Sequence, residues 1–160
     1  MKQIAFVFAS VLISVSAFAD DCSIQSFSDV FDVYQGENFV QRFDTAAGAI
    51  KLRNDMVTDG ACVSKSAGEC SVSSFSEVFD VYQGENLVKR FDTARGAIGL
   101  RNQLIAGKAC AMKTPTEECK ISAFSGVFDV YQGENLVKRY YNVQEAAVLK
   151  NQLTTAKVCN

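Results

Sequence analysis

The chain has 160 residues, with 16 basic and 18 acidic side chains, six cysteines, one proline and no histidine. The even spread of charge excludes the basic stripe of a nucleic-acid binder. The missing imidazole excludes Ser-His-Asp and Cys-His catalysis, and no G-x-x-x-x-G-K-[ST] loop is present to cradle phosphates.

Residues 1–19 read as a secretory signal peptide. Lys2 supplies the positive end, Ile4 to Phe18 is apolar apart from serines, and Ala17-Phe18-Ala19 is a small-x-small cleavage site. The apolar stretch falls short of the roughly twenty residues a membrane helix needs. No lipobox precedes Cys22, and no later segment is apolar enough to span a bilayer. The expected product is exported, periplasmic or secreted, with no lipid anchor and no membrane span after cleavage. Losing Lys2 takes the net charge from −2 one unit further negative.

Export places the cysteines in an oxidising compartment, where an even count reads as disulfides. Without a C-x-x-C pair or a histidine, no metal site and no cofactor are expected.

Three tandem copies of one unit follow, each beginning and ending with cysteine: Cys22 to Cys62, Cys70 to Cys110, and Cys119 to Cys159. The block V-F-D-V-Y-Q-G-E-N recurs at Val30–Asn38, Val78–Asn86 and Val127–Asn135. Short polar linkers separate the copies, so the expected modules are 20–62, 70–110 and 119–160. Equivalent copies should make equivalent bonds, which predicts Cys22–Cys62, Cys70–Cys110 and Cys119–Cys159. A rival scheme joins neighbours across the linkers. Units of about forty residues sit near the lower limit for a self-sufficient core. Each such disulfide contributes about 3–4 kcal/mol in the chain-entropy model.

Within a copy the pattern predicts α+β structure: a β-hairpin, with Val72 and Phe75 marking a third strand ahead of it, then one helix. In copy two, Val78 to Tyr82 and Val88 to Phe91 are rich in strand formers. Gly84-Glu85 suits a type II′ turn. An unbroken register from that turn pairs Tyr82 with Leu87, Val81 with Val88 and Asp80 with Lys89. It puts Phe91 on the face of Val78 and Tyr82. Thr93 is a good N-cap. Ala97, Leu100 and Leu104 recur at helical spacing, with Gly107 to end the helix and Arg101 and Asn102 toward its polar side. An all-α repeat is the alternative, because Phe75, Val78, Phe79 and Tyr82 also fit an i, i+3, i+4, i+7 stripe.

Carboxylates are the remaining catalytic option: Asp32 with Glu37, Asp80 with Glu85, Asp129 with Glu134. Nothing in the sequence suggests a raised carboxylate pKa, so the chain is not expected to be an enzyme. The candidate binding residues flank the hairpin turns: Tyr34, Gln35, Glu37 and Asn38; Tyr82, Gln83, Glu85 and Asn86; Tyr131, Gln132, Glu134 and Asn135. An aromatic ring beside amides and a carboxylate suits stacking on a sugar or gripping a peptide. The expected function is a multivalent binding protein for an extracellular or envelope ligand, glycan or protein. The alternatives are a secreted protease or hydrolase inhibitor and a small carboxylate-dependent hydrolase.

Overall fold

The computed structural model describes residues 20–160, so the predicted signal peptide lies outside the described residues. Copy one forms β1 (Asp21–Phe27), β2 (Val30–Gln35), β3 (Asn38–Phe43), α1 (Ala46–Thr58) and β4 (Val63–Ser64). Copy two forms β5 (Glu69–Phe75), β6 (Val78–Gln83), β7 (Asn86–Phe91), α2 (Ala94–Ala106) and β8 (Ala111–Met112). Copy three forms β9 (Cys119–Phe124), β10 (Val127–Gln132), β11 (Asn135–Tyr140) and α3 (Val143–Thr155). The described residues are therefore mixed α+β, with three helices and eleven strands in three sheets.

The sheet orders are β3-β2-β1-β4, β7-β6-β5-β8 and β11-β10-β9. Adjacent strands are antiparallel except for the short β1–β4 and β5–β8 pairs, which are parallel. The all-α alternative is overturned. Phe75, Val78, Phe79 and Tyr82 lie in β5 and β6. A run this rich in β-branched and aromatic residues can place its side chains on both faces of a pleated sheet, which outweighs a helical spacing held over two turns. The first strand of each copy pairs with the second from its cysteine to its phenylalanine.

Alternation divides each sheet. Phe31 and Val33, and likewise Phe79 and Val81, turn toward the helix and are buried. They meet Ala49, or Ala97 and Leu104, in one apolar cluster that runs through all three copies. Each helix begins at a side-chain cap. Thr45 and Thr93 accept from Gly48 and Gly96, and Asn142 does the same for Gln144. The left-handed residue after each helix is Gly60, Lys108 or Lys157, one position beyond the predicted stop at Gly107.

The predicted register holds only beside the turn. Tyr82 pairs with Leu87, but a bulge then makes Val88 an extra residue. Asp80 therefore faces Arg90 rather than Lys89, and Phe91 joins Phe79 on the helix side. The same shift occurs at Val40 and Val137. Gly36, Gly84 and Gly133 open the hairpin turns at φ near +60° (58°, 61° and 59°), the glycine-first pattern of a type II′ turn.

The disulfides are Cys22–Cys62, Cys70–Cys110 and Cys119–Cys159, with Cα atoms 5.5–5.6 Å apart. Each joins the first strand of a copy to the segment after its helix. No described helix is long and apolar enough to cross a membrane.

Neighbouring copies meet through one set of contacts, made twice. In the β1–β2 turn both central residues, Ser28 and Asp29, are left-handed (φ 48° and 68°). Their N–H groups donate to the bulge carbonyls of Leu87 and Val88 at 3.0 and 2.7 Å. Ser76 and Glu77 do the same to Leu136 and Val137 at 2.9 and 2.7 Å. The Gln83 amide accepts from Ser26 N–H at 2.7 Å and donates to the Ile24 carbonyl at 2.8 Å, standing in for a neighbouring strand. Gln132 accepts from Ser74 N–H at 3.1 Å.

The helices carry a third link, which corrects the predicted placement of Arg101 on a polar face. Arg53 and Arg101 are 0% and 2% exposed. The Arg53 guanidinium donates to the carbonyls of Gly107 and Lys108 at the end of α2. The Arg101 guanidinium donates to those of Ala156 and Lys157 at the end of α3. Unpaired carbonyls and the negative end of the helix dipole both favour a cation there. Lys89–Asp29 and Lys138–Glu77 ion pairs lie at the rim.

Replacing Gln83 with leucine would strand the buried Ser26 N–H and Ile24 carbonyl, at about 1–3 kcal/mol for each group. Ser74→Ala removes a buried hydroxyl that has no partner and should change stability by less than about 0.5 kcal/mol. Urea unfolding of both variants checks this. Equal losses would show that the Gln83 amide does not hold the edge of β1.

Candidate functional site

Opposite the helix, each sheet presents a second face. Its rows follow from the pairing. Ser73, Asp80 and Arg90 share one row, Ser71, Tyr82 and Leu87 the next, and Phe75 faces Val78 at the far end. The same rows recur in copies one and three.

The aromatic end is the open part. Phe27, Phe75 and Phe124 are 61%, 59% and 80% exposed. These three phenylalanines are not among the candidate binding residues that the turn pattern predicts. The signal that finds them is two-residue alternation from the first cysteine: Cys22, Ile24 and Ser26 point inward, so Phe27 points out. In copy three, Ser122, Phe124, Ser125, Val127, Asp129 and Arg139 line a hollow of about 290 Å³.

The middle row is a fixed ion pair. Arg42 clamps Asp32 through Nε and Nη2 at 2.7 Å each. Arg90 holds Asp80 at the same distances, and Arg139 holds Asp129 at 2.8 Å. Bidentate geometry of this kind fixes both side chains. The hydrogen bond from Arg42 holds the Asp32 carboxyl below its ordinary range, against an opposing effect of burial. Arg139 does the same for Asp129. The three arginines are held above their usual value by the aspartates they bond.

The residues predicted around the hairpin turns are divided by the structure. Tyr34, Tyr82 and Tyr131 are half-buried on the helix-free face. Glu37, Asn38, Glu85, Asn86, Glu134 and Asn135 are exposed at or beside the turns. Gln83 and Gln132 are buried on the other face, their amides engaged with the preceding copy. Gln35 is partly exposed and donates to the Ala61 carbonyl within its own copy. Tyr34 meets Phe39 edge-on at 5.9 Å between centroids, and Lys120 lies 5.8 Å from the Tyr131 ring. The face thus offers apolar rings for stacking, a fixed array of charge, and turn polar groups at its rim. Among the described residues, no three His, Cys, Asp or Glu side chains gather as a metal site. The chain matches no protein-family model, no curated protein and no solved structure.

Carboxyls held low stabilise the fold above the ordinary carboxylate pKa of about 4, and that stability is lost as falling pH protonates them. Thermal melts between neutral and acid pH should show a falling midpoint below about pH 4. Asp32→Asn with Asp129→Asn should flatten that fall. An unchanged acid slope would remove the clamps as its cause.

Proposed function

We propose that the chain is an exported, multivalent interaction protein whose three disulfide-stapled copies act as tandem modules over 20–62, 70–110 and 119–160. Each module is a three-stranded antiparallel sheet followed by one helix, with a short parallel strand after the helix in the first two. The observation that carries this reading is the threefold recurrence, in successive rows of one face, of an exposed phenylalanine, a clamped Asp–Arg pair and a half-buried tyrosine.

Exposed large apolar residues that recur at equivalent positions favour binding over solvation alone. Aromatic rings supply contact area, and the clamped guanidinium leaves its remaining donors facing outward. An extracellular or envelope glycan or protein suits this face. Three modest sites on one chain bind an extended or repetitive ligand far more tightly than one site does, provided they engage together. A hydrolytic role for Asp32, Asp80 and Asp129 is disfavoured by the clamps, since a carboxylate held in a bidentate arginine pair is a poor proton donor.

The test immobilises the oxidised protein and exposes it to cell-envelope and culture-medium fractions, glycans included. Phe27, Phe75 and Phe124 are exposed enough for replacement by serine without unfolding. The triple variant should retain the native thermal midpoint and lose capture. Undiminished capture by a folded triple variant would move binding off this face.

A further inference from the structure

The contact between copies has a direction, and among the described residues the first and third copies each display one half of it. Copy one supplies a turn, an edge strand and a helix cation to copy two, and copy two supplies the same to copy three. At the start of the chain, copy one displays the receiving half. Its bulge residue Val40 is 39% exposed, whereas Val88 and Val137 at the same position are 0% exposed. Phe39 beside it is 56% exposed. At the other end, copy three displays the donating half. Ala123 is exposed where Ser26 and Ser74 are 1% exposed, and Ile121 and Phe128 are partly exposed where Ile24 and Phe31 are buried. Among the described residues, the main-chain N–H groups of Ser125 and Gly126 have no acceptor outside their own sheet, unlike those of Ser28, Asp29, Ser76 and Glu77.

The two ends also match in detail. Ile50 of α1 packs so closely on Gly107 that an added Cβ there would lie within 2.5 Å of it. Ile98 holds the place of Ile50 in copy two and lines one groove with Ala156, the counterpart of Gly107. In copy three the isoleucine becomes Ala147, and in copy one the position of Gly107 is occupied by Asp59. The large-on-small pairing is reversed, with a small residue on copy three opposite a larger one on copy one. Arg53 and Arg101 reach helix carbonyls beside Gly107 and Ala156. Their counterpart is Lys150, and it would meet Asp59, the one carboxylate at that position. A compact ammonium suits a carboxylate, as the forked guanidinium suits paired carbonyls.

We propose that copy one of a second molecule of this chain docks on copy three of the first, continuing the stack head to tail. The Gln35 amide then meets Ala123 N–H and the Ile121 carbonyl. The carbonyls of Phe39 and Val40 receive Ser125 and Gly126 N–H. Such an interface is heterologous, so it propagates instead of closing on itself as a twofold dimer. It lacks the rim ion pair, because Gln41 and Gly126 stand where Lys89 and Asp29 pair. It also lacks the linker that tethers the internal copies, so it is weaker than they are. Open edge strands invite this kind of pairing.

The test is sedimentation velocity of the exported protein over a concentration series rising to about 1 mM, the effective concentration a short linker supplies. The native chain should form a series of species larger than a dimer. Val40→Asp spoils only the receiving end, and Ala123→Pro removes only an outward N–H from β9. Each variant alone should stay monomeric where the native chain assembles. Mixed one to one, they should form dimers and nothing larger, because each retains the half that the other lacks. That dimer also shows that both variants are folded. A native chain monomeric throughout the series, a twofold dimer that persists in each variant alone, or two variants that stay monomeric when mixed would each overturn the proposal.

Discussion

The first strand of each copy has one side that no full-length strand covers, and the N–H and C=O groups on that side must find partners. The rest of the architecture answers that requirement. At Asp21 and Cys22 the partner is the short parallel β4. At Ile24 and Ser26 it is the Gln83 amide. At Ser28 and Asp29 it is the pair of carbonyls thrown outward by the bulge at Val88. One strand edge is thus satisfied by three unlike devices, two of them from the next copy. This explains why a copy too small to build a large core folds beside a neighbour, and why the apolar cluster is continuous.

The left-handed turns follow from the same requirement. Ser28-Asp29 and Ser76-Glu77 hold non-glycine residues at positive φ, at a cost of about 1–3 kcal/mol for each residue. Left-handed geometry aims both N–H groups at the bulge carbonyls, so the contact offsets the strain. In copy three the turn is Ser125-Gly126, and its second residue adopts φ 78° without that cost.

Much of this was legible in residues of a single copy. The cysteine interval gave the disulfide pairs, the V-F-D-V-Y alternation gave the second strand, and Thr45 and Thr93 gave the helix starts. The bulge was not legible, because Val88 and Lys89 fit either register until a neighbour's turn needs two carbonyls side by side. Arg101 looked like a surface residue, because its partners are backbone carbonyls 55 and 56 positions away. Gln83 looked like a turn residue for the same reason. Of the candidate site, the tyrosines and the turn polar groups were visible. The phenylalanine row was not, because alternation from the first cysteine turns Phe27 outward only once that segment is known to be a strand paired with the next one.

Amide hydrogen exchange, resolved by residue and recorded at high dilution, tests the edge contact most directly. Ser26 and Ser74 N–H should be strongly protected, along with the turn N–H groups of Ser28, Asp29, Ser76 and Glu77, while Ala123 N–H exchanges freely. Exchange at Ser26 and Ser74 as fast as at Ala123 would contradict the view that each copy is completed by the next.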